Sequence, residues 1–360
     1  MTDTLTPTPS LGDDPMALAG AFLSWMNGAA LLLGIDAGHR AGAFEALAAA
    51  GPVTAEELAA VAGFSPRHLR EWLDLMTVGG IVGFDPSDGR YRLPAGATIC
   101  FTGSSSMNVA PITAAVALSA RHVSAVAATL RKGGGIPYDA YRPEFTELMD
   151  TMHRRHYDEH LLEGYIEAVP GLQERLEDGI SVVDLGCGTG HVLNLLARAF
   201  PTSRFVGYDR AEDALDAARA EADALGLTNV RFEAVDVAAL PADAAFDLVL
   251  AFDAIHDQAR PRQVLAEARR VLTDGGRFVL VDIKASSHVH ENLQQPNAPW
   301  LYGASLFHCM QVSLAEGGEG LGTVWGTQTA LELLREAGFA DVHLLDTPAA
   351  DMMNVIYVCR

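Results

Sequence analysis

From about residue 172 onward, apolar runs of strand length alternate with amphipathic stretches. The runs ISVVDLG, RFVGYD, VRFEAVD, FDLVLAF and RFVLVDI come first, and DVHLLDT and NVIYVCR close the chain. Between the first five the spacing is helical. In VLAEARRVL, for example, Val264, Leu265, Ala268, Val271 and Leu272 share one helical face. Apolar runs of this length suit strands buried on both faces. Their alternation with helices predicts an α/β fold with a doubly wound, mostly parallel, seven-stranded sheet of Rossmann-like type.

The pattern is different upstream. AFLSWMNGAALLLGIDAGHRAGAFEALAAA is rich in Ala and Leu and predicts helix with a glycine-marked break. VTAEELAAVAG opens with Thr54 and has Glu57 three residues on, the spacing of a capping box. SPRHLREWLDLMTVGG starts with Ser65 as N-cap and Pro66 in the first turn, with Leu69, Trp72, Leu73 and Met76 on one face. IVGFDPSDGRYRLP reads as two short strands around a turn. Helix, turn, helix and hairpin is the order of a winged helix. The expected division is a disordered tail over 1–14, a winged-helix domain over 15–100, a helical connector over 101–171 and the α/β domain over 172–360. RKGGGIPYDAYRP interrupts the connector, because its glycines and Pro137 cannot continue a helix.

Charge narrows the functions. The formal net charge is -21, a field that repels phosphate backbones and anionic membranes. Within the first hundred residues the only Lys or Arg are Arg40, Arg67, Arg70, Arg90 and Arg92. The basic footprint of a DNA-binding winged helix is therefore weak, and dimerisation or closure of a site wall is the favoured role. The N-terminus lacks the basic-then-apolar order of a secretion signal, and no apolar run reads as long enough to span a bilayer. Cys100, Cys187, Cys309 and Cys359 are widely spaced and form no CxxC pair, so the expectation is a reduced, cytoplasmic protein without a structural metal.

VVDLGCGTGHVLNLL carries the strongest local signal. A strand runs into Gly186, Gly188 and Gly190 and a helix follows, which gives a tight turn, close backbone approach for a ligand and free helix N–H groups. A dinucleotide fingerprint needs a small residue where His191 stands. The spacing Asp-x-Gly-x-Gly-x-Gly, led by Asp184, instead resembles the first motif of class I S-adenosylmethionine-dependent methyltransferases. With the upstream winged helix and the stretches GGGIPYDAY and HCMQVSLAEGGEGLGTVWG, the chain resembles the bacterial members of that group that carry an N-terminal winged-helix domain. More distantly it is similar to plant-type small-molecule O-methyltransferases.

The resemblance implies S-adenosyl-L-methionine as cofactor, held at its methionine end by Asp184 and by the backbone of Gly186, Cys187, Gly188 and Gly190. It implies Asp209 on the ribose, Asp236 on the adenine amino group with Arg210 and Val237 beside these acids, and Phe252 and Asp253 along the far side. It also implies a small-molecule methyl acceptor, a homodimer and a last strand antiparallel to the rest. In the plant-type enzymes a His-Asp pair after the fourth strand supplies the base. AFDAIHDQARP places His256 and Asp257 there, with Gln258 where that pattern carries Trp. The remaining reading for His256 is a packing or capping role in the next helix. The segment 285–327 shows little regular periodicity and is expected to form a substrate lid. Trp300, Tyr302, Phe307, His308 and Met310, together with Tyr138 and Tyr141, are its candidate pocket walls. His153, His156 and His160 share a helical face that reads as solvated. The competing function is a winged-helix regulator that senses the cofactor or a metabolite.

Overall fold

A computed structural model of the chain describes residues 11–348, 351 and 353–360. It folds as two compact units, Met1–Ala117 and Leu118–Arg360. Of the tail expected over 1–14, residues 1–10 lie outside the described residues. Residues 11–14 are structured: Leu11–Asp13 make one 3-10 turn, and the Asp14 side chain accepts from the Met16 amide at 2.9 Å.

The first unit begins with α1 (Pro15–Arg40), a single 26-residue helix that ends before Gly42, whose φ of 70° marks the expected break. Then come α2 (Ala43–Ala50), α3 (Ala55–Ala62), α4 (Pro66–Val78), the antiparallel pair β1 (Gly83–Asp85) and β2 (Arg90–Arg92), and α5 (Ala95–Phe101). Thr54 and Glu57 form the full capping box. Ser65 differs from expectation, because its hydroxyl pairs with His68 Nδ1 at 2.9 Å rather than with the helix amides. The core of the unit is built on Phe44, Leu47, Leu58, Leu73 and Met76, all essentially inaccessible. Each contributes roughly 1.5–3 kcal/mol by burial. Trp72 lies at the edge of this core and donates Nε1–H to the Gly34 carbonyl at 2.8 Å.

The basic residues of the winged helix are paired with acids. Arg67 pairs with Glu71, Arg70 with Glu56, and Arg90 with Glu57 at 3.0 Å. Helix α1 is apolar on all sides, and only Gly34, Ile35, Asp36 and Gly38 are buried in it. Met16, Phe22, Leu23, Trp25 and Met26 are each more than half exposed. One expectation is corrected here: Pro15–Arg40 and Ala110–Lys132 are both long and apolar enough to cross a membrane, by length and composition alone. Alanine between the larger residues keeps mean hydropathy high without an unbroken run of large apolar side chains, so the pattern hid their length.

The second unit takes in most of the helical stretch after residue 100. It contains α6 (Ala114–Lys132) from Leu118 onward, α7 (Glu144–His160), a π turn over Leu161–Ile166 and α8 (Leu172–Asp178). The sheet follows with its crossovers: β3 (Ser181–Leu185), α9 (His191–Ala199), β4 (Arg204–Asp209), α10 (Glu212–Ala224), β5 (Val230–Ala234), β6 (Phe246–Phe252), α11 (Pro261–Arg270) and β7 (Leu272–Ile283). After the insertion come α14 (Gly326–Glu336), β8 (Val342–Asp346) and β9 (Asn354–Cys359), where the insertion itself holds α12 (Ala298–Ala304) and α13 (Met310–Ala315). Strand order is β5-β4-β3-β6-β7-β9-β8, with β9 antiparallel to both neighbours. Strand β7 starts five residues before RFVLVDI, and a register shift opposite Phe246–Leu248 accommodates the extra length.

Consecutive strand residues feed opposite faces. Val182 packs with Leu193, Leu196 and Leu215 from α9 and α10, whereas Val183 packs with Val264, Leu265 and Leu333 from α11 and α14. The order reverses at β3, flanked by β4 and β6, so a crevice opens at the carboxyl ends of these strands. The insertion is more regular than its pattern suggested. Ala298–Ala315 runs as α12, a π turn over Ser305–Cys309 and α13 without interruption. Pro299 lies in the first turn of α12, where proline is tolerated, and the π turn breaks the 3.6-residue period that a sequence pattern relies on.

Candidate active site

The carboxyl ends of β3, β4 and β6 each deliver an acid to this crevice. Asp184, on β3, is buried, and its Oδ1 has no hydrogen-bond partner in the protein. Burial and the neighbouring Asp209 push its pKa up to about 7. Past it, Gly186, Gly188 and Gly190 all have positive φ. The amides of Gly186 and Cys187 both donate to the Tyr208 carbonyl, at 2.8 and 3.1 Å, which folds the loop back over β4. Gly190 caps α9, and a Cβ there would stand 2.5 Å from Phe232 and 2.6 Å from Ala218. The Cys187 thiol lies against Gly207, where a Cβ would come within 2.7 Å of Sγ, and burial holds its pKa well up.

Asp209 ends β4 and braces the loop. Its Oδ2 accepts from the Gly188 amide at 2.8 Å and its Oδ1 from the Ala211 amide at 2.9 Å. One lone pair on each oxygen remains for a ligand. Asp236, after β5, is more exposed. It accepts from the Ala238 amide at 3.0 Å and from Arg260 at 2.5 Å, with buried Val237 beside it. Arg210 is turned to Glu316 on the insertion, with contacts of 2.6 and 2.8 Å.

A second network ties α7 to the glycine loop. Arg154 bonds Asp150 at 3.0 Å and also reaches Glu221 and His191, while Thr189 in the loop donates to Asp150. His191, the residue that rules out a dinucleotide fingerprint, is buried and held by Asp158 at 3.0 Å and Glu221 at 2.9 Å. The face of α7 that read as solvated is packed instead. His156 pairs with the Tyr165 hydroxyl at 2.8 Å, and His153 lies 3.7 Å from Asp253. Burial lowers the pKa of both histidines, to about 4 for His153. This correction has a physical cause: the π turn after α7 brings Tyr165 back against the helix, which local spacing does not reveal.

At the end of β6, Phe252 lies between Tyr157 and Tyr165, with ring centroids at 5.4 and 6.4 Å. Asp253 has φ of 49°, the one positive φ on a non-glycine residue among those described. Such backbone strain clusters at functional sites. Its Oδ2 accepts from Asn354 at 3.0 Å, its Oδ1 is unpartnered, and burial with nearby Asp282 pushes its pKa up to about 8.

Three residues on lies His256, 4% exposed. Its Nδ1 is 2.7 Å from Asp282 Oδ1, and its Nε2 is 3.2 Å from Asp257 Oδ1. Asp282 is fully buried on β7 and also accepts from Trp325 Nε1 at 3.1 Å and the Ile283 amide at 2.8 Å. Burial works against the imidazolium, but the Asp282 and Asp257 carboxylates outweigh it and hold the His256 pKa well above 6.5. One ring nitrogen fixed by a buried carboxylate, with the other turned away from it toward Asp257, is the arrangement of an oriented general base. Neither Asp282 nor Trp325 was among the sequence candidates. The available signal was an acid inside the apolar run RFVLVDI.

The candidate pocket residues separate into two groups. Tyr138, Tyr141 and Phe145 surround the His308 ring, with centroids at 6.0, 4.7 and 3.5 Å. The Tyr141 hydroxyl donates to the Phe307 carbonyl at 2.7 Å. The glycine-rich break makes this possible, because a Cβ on Gly135 would stand 2.0 Å from the Gln311 carbonyl oxygen. Burial lowers the His308 pKa to about 4 and raises those of Tyr138 and Tyr141. Met310 begins α13 next to this cluster. Trp300 packs elsewhere, with Ile283, Ala285 and Leu301, and the Tyr302 hydroxyl accepts from Asn292 at 3.1 Å.

Comparison with known proteins agrees with this architecture. Residues 176–338 match a family of methyltransferase domains, and residues 29–103 match the Rv2258c-like winged HTH domain. An O-methyltransferase family protein from Burkholderia thailandensis superposes with TM-score 0.70 at 17% identity, covering 98% of each chain. Human N-acetylserotonin methyltransferase, solved in complex with SAM, gives TM-score 0.70 at 17% identity over 99% of each chain. Over 99 residues the chain is 41% identical to trans-aconitate 2-methyltransferase of Variovorax paradoxus, a stretch that is 26% of this chain and 36% of that enzyme. It spans less than half the length of the curated relatives it matches first. The chain thus carries a methyltransferase domain over 176–338 behind a winged HTH domain over 29–103.

Proposed function

We propose that the protein methylates an oxygen of a small molecule, with S-adenosyl-L-methionine as donor and His256 as the base. The observation that carries this reading is the position of His256, buried past β6 and held by Asp282 at 2.7 Å.

The crevice residues suit the cofactor. Asp184 and Asp253 each carry a buried carboxylate oxygen without a protein partner, matched to a cationic ligand. The glycine loop leaves its backbone open, Asp209 keeps lone pairs for vicinal hydroxyls, and Asp236 and Val237 lie at the next strand end for the base. Bound there, S-adenosyl-L-methionine would supply an electrophilic sulfonium methyl to the acceptor oxygen.

The chain's task is to align that oxygen and remove its proton. In its neutral form His256 takes the proton on Nε2, and Asp282 and Asp257 stabilise the resulting imidazolium. Because they also raise its pKa, turnover is expected to rise with pH above the usual histidine range. Tyr138, Tyr141 and Phe145 with His308 supply the aromatic surface against which an acceptor ring stacks. The exposed apolar flank of α1 supports a homodimer, with the second copy covering Phe22, Leu23 and Trp25. A DNA-binding regulator is disfavoured, because Arg67, Arg70 and Arg90 already pair with acids. Free cysteines at all four positions suit a reducing compartment.

The test is transfer of labelled methyl into fractionated metabolite extracts, with cofactor affinity followed by calorimetry. His256→Ala is expected to keep affinity within about twofold and lose turnover by roughly a hundredfold or more. Undiminished turnover on an identified acceptor would remove the base role. NAD affinity without affinity for S-adenosylmethionine would remove the whole reading.

A further inference from the structure

Cys309 has no part in the methyl transfer described above, yet its thiol faces the reacting end of His256. A ring nitrogen of His256, an Asp257 carboxylate oxygen and Cys309 Sγ all lie within 4.8 Å of one another, and His256 Nε2 is 3.2 Å from Asp257 Oδ1. His256 and Cys309 are buried and Asp257 is partly so. His256 and Asp257 come from the loop after β6, and Cys309 from the π turn Ser305–Cys309. Turns of this type recur at functional sites.

The donors are an imidazole, a carboxylate and a thiol. This mixture selects a borderline-soft divalent ion such as zinc and does not suit magnesium or calcium, which take oxygen ligands. Outer contacts fix each donor. Asp282 holds Nδ1 of His256 at 2.7 Å, which leaves Nε2 as the ligating nitrogen, the carboxylate–histidine–metal arrangement. Trp325 in turn fixes Asp282 at 3.1 Å. Burial pushes the Cys309 pKa up to about 11, and Thr323 Oγ1, which donates to Sγ at 3.0 Å, acts against that rise.

A separate observation points to a ligand at the same place. His308 is only 5% exposed, and neither of its ring nitrogens has a hydrogen-bond partner. Its Nδ1 lies 3.9 Å from Asp257 Oδ2. Two unsatisfied nitrogens on a buried ring are costly unless something binds them. Asp257 Oδ1 is likewise without a hydrogen bond.

We propose that His256, Asp257 and Cys309 bind a zinc-like divalent cation, with His308 as a fourth donor, and that the bound ion switches methyl transfer off. On binding, the Cys309 S–H bond breaks, a sulfur–metal bond forms and the proton passes to solvent. Any proton on His256 Nε2 leaves in the same way, and the metal then holds the lone pair that would accept the acceptor's proton. Ion binding stands on the geometry alone. The switch rests on the reading of His256 as the base.

The experiment uses the full chain, freed of metal with a chelator and titrated with cobalt(II). The expected result is one equivalent bound, with visible d–d bands and a near-ultraviolet thiolate-to-cobalt band, both displaced by zinc. Cys309→Ser is expected to abolish the thiolate band, and Asp257→Asn to weaken binding at least tenfold. Each variant is checked for unchanged circular dichroism before titration. A missing thiolate band in the wild type, or a band that survives in Cys309→Ser, overturns the site. For the switch, zinc-loaded protein is expected to turn over at least tenfold more slowly than metal-free protein and to recover with chelator. Stoichiometric zinc that leaves turnover unchanged overturns the switch. Metal-free His256→Ala that retains full turnover overturns the base reading, and the switch with it, but leaves the cobalt result standing.

Discussion

His256 Nδ1 and Asp282 Oδ1 are 2.7 Å apart, one on the loop after β6 and the other inside β7, and both side chains are shielded from solvent. The adjacent parallel strands β6 and β7 bring together residues 26 apart in sequence. The contact sets which imidazole nitrogen faces the crevice. Asp282→Asn is therefore expected to lower turnover by about 10²–10⁴, because the amide no longer fixes the productive tautomer. Cofactor affinity is expected to stay within about twofold, since Asp184 and the glycine loop are untouched. Steady-state turnover with parallel calorimetry checks both halves. An equal fall in affinity and turnover would assign Asp282 to general support of the crevice.

Gly190 offers a test of the loop. Its φ is 70°, and an added Cβ would meet Phe232 at 2.5 Å and Ala218 at 2.6 Å. Strain and overpacking act together at this position. Gly190→Ala is expected to cost about 2–4 kcal/mol in stability and to weaken cofactor binding. Gly226, also at positive φ but with open space around its Cβ position, is the control. Gly226→Ala is expected to cost only about 1 kcal/mol. Urea unfolding of the two variants separates the effects, and equal costs would show that packing against Phe232 contributes nothing.

Stability is expected to depend on pH through Glu221. Burial alone would raise its pKa, but hydrogen bonds from His191, Arg154 and Asn194 overcome this and bring it from 4.5 down to about 2. A carboxylate with a depressed folded-state pKa stabilises above its unfolded value and loses that contribution as pH falls through the folded one. The loss is therefore expected between about pH 4.5 and pH 2. Glu221→Gln is expected to destabilise the chain at pH 7 by roughly 2 kcal/mol and to flatten this part of the stability profile. Chemical unfolding at pH 7 and pH 3 measures it. A variant that tracks the wild type at both values would leave the network without energetic weight.

The strands and the glycine loop were legible because apolar runs, helical faces and turn residues are local signals. All seven sheet strands appear where the apolar runs stand, and the capping box of Thr54 and Glu57 forms as spelled. The rest depends on contacts between distant segments. Asp282, Trp325 and Cys309 converge on His256 from β7 and the insertion, and no local spacing encodes that meeting. The histidines of α7 read as solvated because nothing local shows that the π turn Leu161–Ile166 folds Tyr165 back onto His156, and the insertion read as irregular because the π turn Ser305–Cys309 breaks its 3.6-residue period.

The exposed flank of α1 sets the last prediction. Phe22 and Trp25 are each 58% exposed and Leu23 62%, on a helix that buries little beyond Gly34–Asp36 and Gly38. An apolar surface of this kind on one chain is covered by a partner or promotes aggregation. With a second copy as the partner, the wild-type chain is expected to sediment as a dimer. The double variant Phe22→Asp, Trp25→Asp places two like charges per copy in that contact and is expected to weaken association at least a hundredfold. The substituted positions lie outside the winged-helix core of Phe44, Leu73 and Met76, so circular dichroism and the melting profile of the folded chain should be retained. Sedimentation over a concentration series reads the shift. A wild-type chain that is monomeric at every concentration, or a variant that remains dimeric, would remove α1 as the self-association surface.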